Sequence, residues 1–421
     1  VTATGELQVR PLRHGELELY HQINAASFGL ILDPAQLESK RLLVDYDRWY
    51  LAEIAGEVCG GTGSFHTELT LPGGSTVPAA AANDAGVLAT HRRRGVFSAL
   101  MERQLRDLRD LGEVVALLHA SEGSVYSRFG YGVATSVRQV NVQSRRVEFR
   151  SDCPDTSGRT RIVDRHAAIE ACSAVHARAC TQRAGGIARS ADWWQLVLGD
   201  AESFMGGGLG RLVVLHLDES GTANGYAIYH LVEDWSTGQA EHVLAIWELL
   251  GESIPIEVAL WKLLLSHDLV TRVQGYIATD HLLWNVVEDP RQIHIDYEQD
   301  RLWLRLLDVE AALSSRSYAA SEILGGVGSS KLSFGVRDPL LSELAGSYTL
   351  EVDQGVGTCS RSAAPADLLL DISSLSACCL GGSSFRRLVR AGQIVEITAG
   401  AAALADQLFS IDPLPWCWVC F

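Results

Sequence analysis

Arg92-Arg93-Arg94-Gly95 sets three guanidinium groups and a glycine ahead of a run in which Phe97, Leu100, Met101, Leu105 and Leu108 recur at spacings of three and four. That spacing predicts an amphipathic helix. The first N–H groups of a helix have no intrahelical partner and carry the positive end of its macrodipole, so a basic turn there is suited to an anion. Gly95 would let a phosphate come close to the backbone. Further along, His119 precedes a turn carrying Ser121, Glu122 and Tyr126, a set of groups able to hold a polar ligand and move a proton. Cys417 and Cys420 have redox or metal spacing, but no second close pair accompanies them, and we expect no metal.

These groups need elements to hold them. A strand ending at Val87 and Leu88, a helix over 95–111 and a strand over 114–119 form a βα unit whose carboxyl end is the natural ligand crevice. Before it, the alternation of 7–12 predicts a strand, 16–28 a helix, and 49–54 with 58–69 a hairpin. Pro72-Gly73-Gly74 then turns the chain into an extended segment over 77–88. A strand over 133–147 leads to a polar stretch, 151–159, with Pro154 and Gly158, which reads as a linker. The same grammar then recurs: a helix over 166–181, strands over 211–217, 225–231 and 241–249, a helix over 256–267 and a strand over 271–277. No Arg-x-x-Gly turn separates Leu249 from Ile256, only Gly-Glu-Ser-Ile-Pro-Ile, so this second unit is expected to hold no cofactor and to wall the substrate cleft. From Leu302 the pattern is a strand and a short helix, then strands near 331–334 and 348–352, then alternating strands and helices between 367 and 409.

A chain of 421 residues suggests two to four domains. A net charge of −16 and a pI near 5.3 argue against nucleic acid or an anionic membrane as the general partner, suit a cationic substrate, and leave Arg92 to Arg94 as a local exception. The odd count of nine cysteines, without a compact framework, fits a reducing cytoplasm. No run approaches 18 apolar residues, and the start, VTATGELQVRPL, lacks a basic-then-apolar signal, so a soluble, unexported protein is expected.

Arg92-x-x-Gly95, between a strand and an amphipathic helix, resembles the acetyl-coenzyme A loop of the GCN5-related N-acetyltransferases. The longer pattern, THRRRG followed after one helix and one strand by HASEGSVYSRFGYG, is similar to the Eis (enhanced intracellular survival) acetyltransferases, and the likeness extends to the last residue. This resemblance implies an α/β (α+β) fold class: two tandem acetyltransferase-like folds, then a sterol-carrier-protein-like domain. The implied boundaries are 1–150 for a catalytic domain, 151–300 for a domain without cofactor, and 301–421 for the last domain. It also implies a cytoplasmic hexamer that uses acetyl-CoA and no metal to acetylate primary amines of a polyamine or aminoglycoside-like substrate, with neither nucleic acid nor membrane as partner. A noncatalytic coenzyme- or lipid-binding protein and an acyltransferase for longer acyl groups are the rivals.

Carried over residue by residue, the resemblance implies that main-chain N–H groups of Ala85, Gly86 and Val87 face the pantetheine and thioester. Gly86 alone could equally mark a β-bulge. Arg93, Arg94, Gly95, Val96, Phe97 and Ser98 match the pyrophosphate loop, and Ser121 with Glu122 a second coenzyme contact. Tyr126 matches the general acid, provided the site tunes its pKa downward, and the α-carboxyl of Phe421 matches the general base, with Trp416 and Trp418 as apolar surroundings. His119 could orient the substrate or simply be buried. Two residues depart from the family pattern: Ala89 stands where proline is common, and Asp84 where an apolar residue is frequent. Asp84 either points to the cationic substrate or lowers affinity for the anionic coenzyme.

Overall fold

The structure is a computed structural model that describes residues 6–32, 37, 41–199, 210–319 and 330–421. The first five residues of the N-terminal stretch read above lie outside the described residues. Two compact units emerge, one of residues 1–135, 183–188 and 300–421, the other of 136–182 and 189–299.

In the first unit, β1 (Leu7–Pro11), β2 (Tyr50–Ile54), β3 (Glu57–Thr70) and β4 (Thr76–Val87) pair antiparallel in chain order. β5 (Val115–Leu118) joins β4 in parallel, and Trp303–Leu306 then lies between β5 and the short strand Gly132–Val133. The helix α1 (Leu17–Ser27) follows β1, and α2 (Val96–Asp110) makes the crossover from β4 to β5. α2 buries Val96, Leu100, Met101, Leu105 and Leu108, the face that the three-and-four spacing marks out. Each such side chain contributes about 1.5–3 kcal/mol when fully buried. The same unit holds a five-stranded sheet in the order Val356–Arg361, Gly346–Asp353, Ser330–Arg337, Leu368–Asp371, Ile394–Glu396. Phe334, Phe385 and Phe409 meet beneath it, with Phe385 and Phe409 centroids 5.0 Å apart. Arg305, fully buried, donates to Phe129 O (2.8 Å) and pairs with Asp338, which clamps Trp303–Leu306 in place.

The second unit is a seven-stranded sheet in the order Ile293–Asp300, Ser136–Gln143, Val270–Ala278, His242–Gly251, Ala223–Val232, Leu212–Leu217, Arg159–Val163. Its helices include Ile169–Cys180 and Ile254–Leu265, near the sequence-based spans. Arg189 and Glu248 form a buried ion pair (Nη1 to Oε1, 2.9 Å) to which the Tyr226 hydroxyl also donates. Removing one member of such a pair costs about 3–5 kcal/mol.

Sheet membership crosses the linear segments 1–150, 151–300 and 301–421. Ser136–Gln143 hydrogen-bonds to Val270–Ala278 in the second unit's sheet, whereas Trp303–Leu306 completes the first sheet. The polar stretch at 151–159 also ends in a strand, Arg159–Val163, which pairs with Leu212–Leu217.

Candidate active site

β4 and β5 pair only from Ala79 to Ala81 and Val115 to Leu117. β4 continues to Val87 while β5 ends at Leu118, so Ala82 to Val87 have no β5 partner on that side. Within this stretch, Asn83 pairs with Gly63 and Gly86 with Gly61, leaving Asp84 and Ala85 opposite Thr62. That is a β-bulge, and Asp84 takes the left-handed conformation (φ +51°) that makes it. The bulge therefore belongs to Asp84 and not to Gly86. Gly86 is needed for a different reason: a Cβ there would come within 2.7 Å of Asn24 Oδ1 and 2.9 Å of Ser27 Cβ on α1.

At the other end of the strand, the turn into α2 sets Arg93 at φ +62° and Gly95 at φ +82°, with Gly95 as the N-cap. A non-glycine residue at positive φ is uncommon and marks a backbone held by its surroundings. A Cβ on Gly95 would meet nothing within 4 Å, so here glycine answers to the backbone conformation and not to crowding by protein atoms. Arg92 donates to Ser27 O (2.8 Å) and Val87 O, tying the turn to the end of α1. Arg93 lines a cavity of about 710 Å³, together with Ala85, Gly86, Val87, Gly95, Val96, Phe97, Ser98, Ser121, Glu122 and Tyr126. Arg94 does not line it, and its charge acts on the buried Cys59 thiol. Sequence reasoning missed Ser27, Phe28, His91, Val125 and Arg128 in the lining. Phe28, half exposed directly after an amphipathic helix, was the available signal.

Tyr126 ends the helical turn Gly123–Tyr126. Its ring is buried among Phe97, Tyr131 and Trp303, with centroids at 6.1, 6.2 and 6.5 Å. Burial raises its pKa above the ordinary value of 10, Ser121 pulls it back and Glu122 pushes it further up. The expected downward tuning is thus reversed, because desolvation of the phenolate outweighs the help from Ser121. Tyr126 stays protonated across the neutral range.

A second cavity of about 150 Å³ shares Phe28, Ala85, Ser121 and Tyr126 with the first and adds Asn83, Asp84, Gln104, His119 and Phe421. The chain's last described residue therefore lies on one small space with Tyr126. The segment leading to it is docked. Trp416, Cys417 and Val419 are buried, and Trp416 N donates to Ala184 O (2.8 Å). Among the described residues, the Phe421 ring meets His119 (4.6 Å) and Phe65 (5.8 Å); the sequence had suggested Trp416 and Trp418.

His119 lies with Nδ1 2.8 Å from Arg301 O and Nε2 3.1 Å from Val419 O. Two carbonyl oxygens would favour an imidazolium, which donates from both nitrogens. Burial and the nearby Arg301 charge act the other way and hold the pKa down at about 3. The neutral ring wins, and it donates to one carbonyl at a time.

In the second unit, the strand-to-helix turn from His242–Gly251 into Ile254–Leu265 carries Glu252. Glu257 lies in the first helical turn, and Glu252 accepts from Arg178 (2.7 Å). Among the described residues no group of three or more His, Cys, Asp or Glu could hold a metal ion, and no helix is long and apolar enough to cross a membrane.

Three family models match the chain. An acetyltransferase (GNAT) domain covers residues 8–134, a second acetyltransferase (GNAT) domain 185–306, and a sterol carrier protein domain 309–418. An uncharacterised N-acetyltransferase of Streptomyces coelicolor is 34% identical over 97% of this chain and 98% of its own length. The N-acetyltransferase Eis of Mycobacterium tuberculosis (strain H37Ra) is 30% identical over 92% and 93%. Among solved structures, Eis1 from Mycobacterium abscessus superposes with a TM-score of 0.84 at 32% identity, covering 99% of this chain and 100% of the other.

Proposed function

The chain belongs to the Eis family of GCN5-related N-acetyltransferases, and from that premise we propose that it moves the acetyl group of acetyl-CoA to a primary amine of a polyamine or aminoglycoside-like acceptor. The observation that carries the site assignment is the pair of cavities that share lining residues. Arg93 and the start of α2 front the larger, Tyr126 and Phe421 line the smaller, and Ala85 and Tyr126 belong to both.

Acetyl-CoA supplies an activated acetyl thioester. The chain's own groups fit such a ligand: the free N–H groups at the start of α2 and the guanidinium of Arg93 suit a pyrophosphate. The stretch of β4 left unpaired by β5 offers main-chain groups of Ala85 to Val87 to the pantetheine and the thioester oxygen. Tyr126 holds a proton for the departing sulfur. Its raised pKa is matched to a thiolate that is itself desolvated and therefore more basic than in water. The α-carboxylate of Phe421, on the same cavity, takes a proton from the amine directly or through one water.

The smaller cavity, about 150 Å³, has room for roughly five water-sized groups, which favours an acetyl group over a long acyl chain. In the second unit, Glu252 and Glu257 oppose an anion at the turn that would correspond, which supports a single coenzyme site per chain. A small cationic amine as partner, a cytoplasmic setting and a hexameric assembly are carried by the family reading. Thiol release from acetyl-CoA, measured over a panel of amines and against longer acyl-coenzymes, tests the proposal. Coenzyme binding without amine-dependent thiol release would overturn it, and faster turnover of long acyl-coenzymes would overturn the acetyl assignment.

A further inference from the structure

The two cavities sort the lining residues into two ends. On the acetyl-transfer reading, the reacting end is marked by Phe28, Ala85, Ser121 and Tyr126, which line both. Arg93, Gly95, Phe97, Val125 and Arg128 line the larger cavity alone, which assigns them to the rest of the coenzyme. Of these, Arg128 comes from the connection after Tyr126 and not from the basic turn, and nothing said so far gives it a task.

Coenzyme A is an anion at two places. One is the pyrophosphate on the way to the thiol, and the other is a phosphomonoester on the 3′-hydroxyl of its ribose. The second ionisation of such an ester has a pKa of about 6, so this group is close to dianionic at neutral pH. The pyrophosphate takes the start of α2 and Arg93. Arg92 is committed to the protein, since it donates to Ser27 O at 2.8 Å and to Val87 O. His91 precedes it in the same turn, with Nδ1 2.9 Å from Thr90 Oγ1, and Arg94 does not line the cavity. Glu122 does line it and adds a negative charge, so a second anionic group needs a cation of its own.

Arg128 is built for that role. Its guanidinium lies over the Phe129 ring, 4.8 Å from the centroid, and among the described residues no carboxylate is paired with it. Phe129 is buried and packs against Phe97 in the first turn of α2, with centroids 5.7 Å apart. The cation therefore stands on a platform fixed to the helix whose start holds the pyrophosphate. Stacking uses the face of a guanidinium and leaves its in-plane N–H groups to form the fork that matches a phosphate.

We propose that Arg128 is a specificity-determining residue that binds the 3′-phosphate of the coenzyme, so that this protein selects coenzyme A over 3′-dephospho-coenzyme A. The inference rests on the acetyl-transfer reading above and adds to it the group that recognises the nucleotide end of the coenzyme.

Calorimetry of the full chain with coenzyme A and with 3′-dephospho-coenzyme A, for the native protein and for Arg128→Gln, tests it. The side chain is exposed, so the substitution leaves the core intact. Native protein should bind coenzyme A about tenfold more tightly than the dephospho form, the size of one hydrogen-bonded pair of charges. In Arg128→Gln the affinity for coenzyme A should fall by that factor while the affinity for the dephospho form holds, so the ratio approaches unity. Arg128→Lys should recover part of it, since the charge returns without the fork. Arg93→Gln, in contrast, should weaken both ligands alike, because both carry the pyrophosphate. A native-sized ratio kept in Arg128→Gln would overturn the inference; a loss common to both ligands would then assign Arg128 to the pyrophosphate or to packing on Phe129. Native protein that binds the two forms equally would also overturn it and leave the acetyl-transfer reading standing. Binding of neither form by native protein would overturn that reading and this inference with it.

Discussion

Tyr126 and Tyr131 are neighbouring buried phenols, centroids 6.2 Å apart, and the chemistry proposed for one and not the other makes opposite demands on substitution by phenylalanine. Tyr126 lines both cavities; Tyr131 lines neither. Tyr126→Phe removes the proton donor and leaves the aromatic wall of Phe97, Tyr131 and Trp303 in place. Loss of a general acid lowers kcat by about 10²–10⁴, equivalent to roughly 3–5 kcal/mol of transition-state stabilisation. Coenzyme affinity should hold within about twofold, since Arg93 and the start of α2 are untouched. The hydroxyl of Tyr131 is buried without a hydrogen-bond partner among the described residues, so Tyr131→Phe relieves an unmet polar group and should leave kcat unchanged while adding about 1 kcal/mol of stability. Steady-state thiol release, coenzyme calorimetry and denaturant unfolding on the two variants check all three quantities. Equal, small losses of kcat at both positions would refute the role of Tyr126, as would a loss of coenzyme affinity large enough to account for the fall in rate. In the native enzyme, the raised pKa of Tyr126 places any alkaline loss of activity through this group above pH 10.

Gly95→Val forces a β-branched residue into φ +82°, and coenzyme affinity measured by calorimetry should fall at least tenfold, whereas Gly95→Asn should lose much less. Appending one glycine after Phe421 displaces the proposed base by about 3.3–3.6 Å, and turnover should collapse while thermal stability and coenzyme binding persist; full activity would rule the carboxylate out. His119, with a folded pKa of about 3 against about 6.5 unfolded, stays neutral in the fold while the unfolded chain takes a proton. Its contribution is fully present above pH 6.5 and is lost as pH falls toward 3, by at most about 1.4 kcal/mol per pH unit, so urea unfolding at pH 7 and 4.5 should show a shallower pH dependence in His119→Gln.

What could be read from the sequence was what is local. Apolar spacing marked α2 to within a residue or two, the basic turn marked its start, and ten of the eleven proposed coenzyme residues line the larger cavity because a strand, a turn and a helix in succession position them. Arg94 is the exception, since consecutive residues in a turn cannot all face one side. What could not be read were backbone conformations and distant pairings. Nothing in the sequence of Asp84 announces a left-handed bulge, and Gly86 is a glycine because a Cβ there would come within 3 Å of the Asn24 and Ser27 side chains on α1, some sixty residues earlier. The strand Trp303–Leu306 was legible as a strand, but its place beside β5 is fixed by buried Arg305 and Asp338, a contact that no local pattern encodes.

That late strand links the C-terminal region to the chemistry. Tyr126 lies in the connection between β5 and Gly132–Val133, which are not neighbours in the sheet: Trp303–Leu306 runs between them, paired to both. Trp303 packs against the Tyr126 ring, Arg305 fixes Phe129 O, and the Arg301 carbonyl lies against His119, which in turn meets Phe421. The proposed acid is therefore positioned by residues near 303, and the proposed base by the docked segment that follows Trp416. The proposed pyrophosphate site depends on neither, since Arg93, Gly95 and the start of α2 belong to the β4–α2–β5 unit. Changes in the C-terminal region that preserve folding should accordingly act on kcat before they act on coenzyme affinity, because the binding groups are local in the chain and the proton-transfer groups are assembled from its distant parts.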